Sequence, residues 1–371
     1  MCKMKISMNL NIKSCFQFLI LYFTVCPIFL VSCQQRSVEV TEIRGVYGNP
    51  KPLWDKGFNL KDLGVNAVFV HSGSINQEMI SKVKSEDIKI FAEFAILNGK
   101  NYVETHPEAW AINEKGEKVK AASWFMGVCP TDPDFQQYRF EQLKDLLLKY
   151  DLDGVWMDYV HWHAQFEDPE PILPETCFCE RCMDKFSKET STKIPDTTIS
   201  EKASWILQNH DKTWRDWRCK VIYDWTYEVK SIIKEIKPEA LLGLYHCPWN
   251  DQEFNEARYR ILGLDYDMLK ETIDVFSPMV YHGRMGREPN WVKENTEWFS
   301  NRLNLKKDTY PKVWPIVQAY NDPAIISNEE FEIVLKGGLA GKSTGVMMFT
   351  TSAVAEDEGK TEVMKSVYTK Y

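Results

Sequence analysis

Eight short runs of apolar, β-branched and aromatic residues recur along the chain, and the stretches between them carry helical periodicity. The runs are IRGVYG (43–48), NAVFVHS (66–72), IKIFAEFAIL (88–97), DGVWMDYV (153–160), ALLGLYH (240–246), DVFSPMVYH (274–282), KVWPIVQAY (312–320) and TGVMMFTTS (344–352). Helical stretches include QQYRFEQLKDLLLKY (136–150), WRCKVIYDWTYEVKSIIKEI (217–236) and NWVKENTEWFSNRL (290–303). Strands separated by helices pair in parallel, because each connection must cross over the sheet. Repeated eight times over about 330 residues, this unit predicts an α/β (β/α)8 TIM barrel with enlarged βα loops. A doubly wound open sheet is the competing arrangement, but no dinucleotide glycine fingerprint follows the first run. The near-motif GGLAGKST (337–344) has Lys336 where a phosphate loop needs glycine, and it precedes its strand instead of following it.

In such a barrel the chemistry gathers at the C-terminal ends of the strands. Five of the seven histidines, at 71, 161, 163, 246 and 282, fall at or just beyond those ends. Asp158 ends the fourth run within VWMDYV, where burial is costly unless the carboxylate is paired or put to use. It reads either as a helix cap or arginine partner, or as the nucleophile or electrostatic stabiliser of glycoside hydrolysis. That reaction needs a second carboxyl, about 5–5.5 Å away for retention or about 6.5–9.5 Å for inversion. Glu93, among the apolar residues of FAEFAI, is the leading proton donor, since burial favours its protonated form. Its alternative role is to pair with Arg44, and Asp251 and Asp265 compete for the catalytic one.

Trp162, Trp249 and Tyr281 are candidate platforms for stacking sugar rings. Tyr47, His71, His163, His246, His282 and Gln318 complete the substrate-binding set expected at the strand ends. Aromatics make up 13% of the chain, enough for a large core with rings left over for a cleft. A formal net charge of −8 argues against a nucleic-acid partner, and no signature of an organic cofactor is present.

Cys177, Cys179 and Cys182 form C-x-C-x-x-C just after the fourth run, and Cys129 stands upstream in GVCPTDP. Four thiolates with short local spacings suit a closed structural zinc site. Disulfides are the alternative, because spacing alone does not settle pairing. Cys219 and Cys247 read as buried thiols or a spare pair.

At the N-terminus Lys3, Lys5 and Lys13 precede the apolar run CFQFLILYFTVCPIFLVSC (15–33), the pattern of an export signal. The motif LVSC resembles the lipobox of bacterial lipoproteins. That resemblance implies a signal peptide over 1–32 and an acylated Cys33 as the first mature residue. A short tether (33–40) and one domain (41–371) follow. No later apolar stretch reaches the roughly 20 residues of a spanning helix. The expected location is the bacterial cell envelope, lipid-anchored, facing the periplasm or the surface. QQRSV, lacking an acidic run, favours the periplasmic face.

The layout THPEAWAINEKGEK, VCPTDPDFQQY, YDLDGVWMDYVHW, CFCERCMDKF and VFSPMVYH resembles the glycoside-hydrolase-like TIM barrels known as hypothetical glycosyl hydrolases, over roughly residues 41–352. The cysteine pattern is similar to the zinc site of family 42 beta-galactosidases, which implies zinc on Cys129, Cys177, Cys179 and Cys182. Those enzymes carry Asn-Glu at the end of strand four and Glu on strand seven. Here Met157-Asp158 and Gln318 stand instead, so their mechanism does not transfer. LDGVWMDYV is also similar to the chitinase strand-four motif, but Val160 replaces its catalytic Glu. An Asp at the end of strand four resembles the nucleophile position of the alpha-galactosidase and alpha-amylase superfamilies. The resulting expectation is a lipid-anchored glycoside hydrolase acting on an extracytoplasmic oligosaccharide or polysaccharide. The alternatives are a catalytically inactive glycan-binding barrel of an uptake system and a zinc hydrolase built on the histidines.

Overall fold

A computed structural model describes residues 43–370. The expected signal peptide (1–32) and the whole tether (33–40), Cys33 included, lie outside the described residues. Among the described residues no helix is long and apolar enough to cross a membrane.

Nine parallel segments close into a barrel in the order β5-β4-β3-β2-β1-β9-β8-β6-β7, with β5 also bonded to β6. They are β1 (Ile43–Tyr47), β2 (Ala67–His71), β3 (Lys89–Ala95), β4 (Gly154–Asp158), β5 (Leu241–His246), β6 (Val275–Val280), β7 (Lys312–Val313), β8 (Ile316–Gln318) and β9 (Gly345–Phe349). The ring closes where β1 pairs with both β2 and β9, so no edge is left open. β7 and β8 are two halves of one position, because both pair with β6 in unbroken register, Val275↔Lys312 and Met279↔Ile316. That register sets Pro278 opposite Pro315. Neither has an N–H, so the ladder lapses there and then resumes. Eight positions result, and the fold is the (β/α)8 barrel that the alternation predicts.

Helices return the chain between strands, and local chemistry starts them. The helix Pro133–Lys149 begins three residues earlier than its periodicity suggests. Asp132 caps it by accepting from the Phe135 N–H at 2.9 Å, and Pro133 sits in its first turn. The helix Asp211–Ile236 buries Trp214 and Trp217 against Phe178 and Phe186, and Trp225 against Phe135 and Phe140 of the helix Pro133–Lys149.

Alternate strand residues point into the barrel, which stacks the interior in layers. The lower layer is aromatic. Phe69 and Phe91 lie 4.8 Å apart between ring centres, Phe91 and Trp156 4.5 Å, and Trp156 and Trp314 5.5 Å. Gly243 makes room for it, since a Cβ there would fall 2.1 Å from the Trp156 ring. The Trp156 indole donates to the Ser277 hydroxyl at 2.9 Å, which satisfies the one polar atom that Trp156 brings into the layer. Two residues further along the same strands come His71, Glu93 and Asp158. This buried aromatic floor is what positions the site.

Candidate active site

Above the floor a cavity of about 310 Å³ opens at the C-terminal ends of the strands. Three carboxyl groups line it, those of Glu93, Asp158 and Glu167. Asp158 closes β4, and the chain then turns sharply through Tyr159, whose φ of 54° is left-handed. An aromatic residue rarely adopts that conformation, and such strain gathers at functional sites. The turn brings the Tyr159 N–H to an Asp158 carboxylate oxygen at 2.8 Å.

Burial raises all three carboxyl groups. Burial raises Asp158 well above the usual carboxylate range, and the charge of Glu93 raises it further; the Tyr159 N–H opposes both. Burial also raises Glu93, against the hydroxyl of Tyr47, which donates to it, and the nearby His71. Glu167 is pushed up to about 7, mainly by burial, with Arg284 pulling the other way. Two carboxyls in one low-dielectric floor do not both ionise readily, so the charge of Glu93 favours the protonated form of Asp158.

Loops wall the cavity from above. The Trp124 indole donates to the Tyr159 hydroxyl at 3.0 Å, and the Arg284 guanidinium lies 4.5 Å over the Trp124 ring. Arg284 Nε stands 3.6 Å from Glu167 and 3.3 Å from Asp168.

Of the residues expected from sequence, the cavity gathers Tyr47, His71, Glu93, Asp158 and Tyr281. It leaves out Trp162, His163, His246, Trp249, His282 and Gln318, each for a physical reason. His246 follows the inward Tyr245, so alternation turns it outward into the helical layer. There it packs against Phe299, and its Nδ1 lies 2.7 Å from the Tyr266 hydroxyl; burial lowers it to about 3. His282 follows Tyr281 and is likewise buried. His163 Nδ1 accepts from the Gly127 N–H at 3.0 Å and Nε2 meets the Lys120 carbonyl at 2.9 Å, pinning the loop after β3. Trp162 is fully buried under Arg218, whose guanidinium lies 4.8 Å over its ring. Trp249 borders a separate, smaller hollow. Gln318 acts from beneath the loop after β6. It accepts from the Arg284 N–H at 3.0 Å and donates to the Asp322 carbonyl at 2.8 Å.

Asp251 pairs with Arg258 and Arg302, and Asp265 caps the short helix Tyr266–Leu269. Neither lines the cavity. Arg44 donates to the Gly64 carbonyl at 2.7 Å, and Glu93 instead accepts from Tyr47. The histidines do not converge on a metal geometry: His161 and His163 each bond to a backbone carbonyl.

Sequence reasoning missed Trp124, Tyr159, Glu167, Tyr245 and Arg284. Glu167 had a signal, since it opens the acidic run in FEDPEP directly after the Asp158 turn. Trp124 and Arg284 sit in loops with no periodicity to mark them.

The sulfurs of Cys129, Cys177, Cys179 and Cys182 lie within 4.8 Å of one another, with Cys129 3.4 Å from Cys182 and 3.7 Å from Cys179. A zinc ion bonded at about 2.3 Å spaces its sulfurs roughly 3.8 Å apart, whereas a disulfide needs about 2.05 Å. All four stand as free thiols, as do Cys219 and Cys247. The Ile112 N–H donates to Cys177 Sγ at 3.3 Å, and the Cys182 N–H to Cys179 Sγ at 3.4 Å. Such donors support thiolates. The donor set fits zinc, and it ties the loop after β3 to the loop after β4.

A closed parallel barrel with clustered carboxyls at its C-terminal mouth defines a glycoside-hydrolase-like protein. A family model described as glycosyl hydrolase-like 10 matches residues 72–310, and the chain belongs to that family. The fold is similar to the glycoside hydrolase domain of PgaB (BpsB) from Bordetella bronchiseptica, with TM-score 0.64 and 13% identity over 88% of this chain and 98% of that one. It is also similar to the beta-galactosidase of the haloarchaeon Halorubrum lacusprofundi, with TM-score 0.64 and 10% identity over 88% of this chain and 58% of that one. The beta-galactosidase of Marinomonas ef1 gives TM-score 0.63 and 10% identity over 88% and 59%. The chain thus spans somewhat more than half the length of these two enzymes. No curated protein matches its sequence.

Proposed function

We propose that the protein is a lipid-anchored glycoside hydrolase that cleaves an extracytoplasmic oligosaccharide or polysaccharide. The observation that carries this reading is the single cavity in which Asp158 faces two further carboxyls. A glycan-binding barrel without catalysis would have no use for three carboxyls lining one cavity, each raised by burial.

Asp158 is the carboxylate at the anomeric carbon, as nucleophile or electrostatic stabiliser. With Glu93 in the same floor, one of the two acids ionises, and that negative charge lies opposite the positive charge that develops in the transition state. We assign proton donation to Glu167 in preference to Glu93. Tyr47 already donates to Glu93 and favours its ionised form, whereas Glu167 lies on the loop side, where a leaving oxygen departs. Its value of about 7 matches it to general acid work near neutrality. The four-cysteine cluster would hold zinc as a closed structural site and keep the loops carrying Trp124 and Glu167 in place.

A pH profile tests the assignment of the proton donor. An acid must be protonated to act, so kcat/KM should fall as pH rises through about 7. Glu167→Gln should lower it by roughly 10²–10⁴-fold and remove that alkaline limb. A limb that persists in the variant returns the role to Glu93.

The anchor has its own test. Replacing Cys33 should release the protein from membranes while leaving catalysis intact, since the barrel begins near residue 43. Fractionation that finds the wild-type chain soluble in the cytoplasm contradicts the lipoprotein reading.

A further inference from the structure

Beside the main cavity lies a smaller hollow of about 160 Å³, bordered by Asp168, Trp249, Phe254, Arg287 and Trp291. The two are neighbours in the chain as well as in space. Glu167 and Arg284 line the first, while Asp168 and Met285, the next residue in each loop, line the second. The Arg284–Asp168 ion pair at 3.3 Å forms the wall between them.

The hollow is built from the groups that hold sugars. Phe254 is 39% exposed, an unusual state for a phenyl ring, and it packs 4.5 Å from the buried Trp249. The Arg287 guanidinium lies 5.6 Å over the Trp291 ring and is fixed by Glu253 at 2.5 Å. Aromatic faces take the C–H side of a pyranose, and a fixed carboxylate and guanidinium take its hydroxyls. Phe254, Asn255 and Glu256 all have left-handed backbones, with φ of 50°, 57° and 60°. Three successive non-glycine residues in that region are costly, and strain of this kind persists where a segment presents a side chain for use.

We propose that this hollow is a second sugar subsite, holding a unit of the same glycan chain whose reacting unit sits at Asp158. The substrate is then an oligosaccharide or polymer and not a single glycoside. This inference rests on the glycan reading of the main cavity.

Its test uses maltohexaose, cellohexaose and chitohexaose with aryl monoglycosides of the matching sugars. Phe254→Ala combined with Trp291→Ala should lower the ratio of kcat/KM for the hexamer over the aryl glycoside by tenfold or more, through KM. A ratio that stays unchanged overturns the subsite. Binding separates this result from the hydrolase reading. In the Asp158→Asn protein labelled with 5-fluorotryptophan, a hexamer should shift the resonances of Trp249 and Trp291. Those shifts without any turnover by the wild type sustain the subsite and sink the hydrolysis. No shift at either tryptophan across the three hexamers overturns the subsite itself.

Discussion

Asp158→Asn should abolish measurable turnover while the barrel stays folded. The substitution keeps the shape of the side chain and its contact with the Tyr159 N–H, which is made to one oxygen. It removes the negative charge that the floor offers to the anomeric carbon. Removing a group that acts chiefly in the transition state lowers kcat and kcat/KM together. We expect a loss at or beyond the upper end of the roughly 10²–10⁴-fold range for acid–base groups. Circular dichroism and thermal unfolding should match the wild type, or exceed it, since an unfavourably buried acid has been replaced. A folded variant with near-normal kcat would remove Asp158 from the mechanism.

The second large effect is on stability. Purified protein should contain one zinc ion per chain, lost in Cys179→Ser. Cys179 also caps the helix Glu180–Thr190 by accepting from the Cys182 N–H, so one side chain holds both the metal and the helix start. Losing such a metal belongs to the short list of large single effects. An order-of-magnitude loss of about 3–5 kcal/mol would lower Tm by roughly 4–7 °C in a domain of this size. Catalysis by the molecules that remain folded should change less, because four cysteines leave no open position for substrate. Elemental analysis finding no metal in protein whose cysteines are reduced would contradict the assignment.

How much of this was legible in the sequence follows from what pattern encodes. The strands were readable because burial on both faces imposes continuous apolar runs, and seven of the eight runs hold one uninterrupted segment. The seventh breaks at Pro315, a residue visible in the sequence, but its effect depends on Pro278 lying across the ladder. Asp158 was legible because a carboxylate in an apolar strand demands an explanation. The cysteines were legible because their spacing is local. His246 and His282 misled because a strand end offers two neighbouring residues and only alternation decides which faces in. In both cases a tyrosine, Tyr245 or Tyr281, took the inward place. Arg284 and Trp124 had no local signature, since their stacking joins residues far apart in the chain.

The most direct measurement is the release of new reducing ends from a panel of polysaccharides and oligosaccharides by the protein lacking residues 1–32, with Asp158→Asn as the blank. At least one glycan should be cleaved by the wild type, and the blank should leave it intact. Glycans that bind the wild type without any being cut would contradict the account and make the barrel a binding protein.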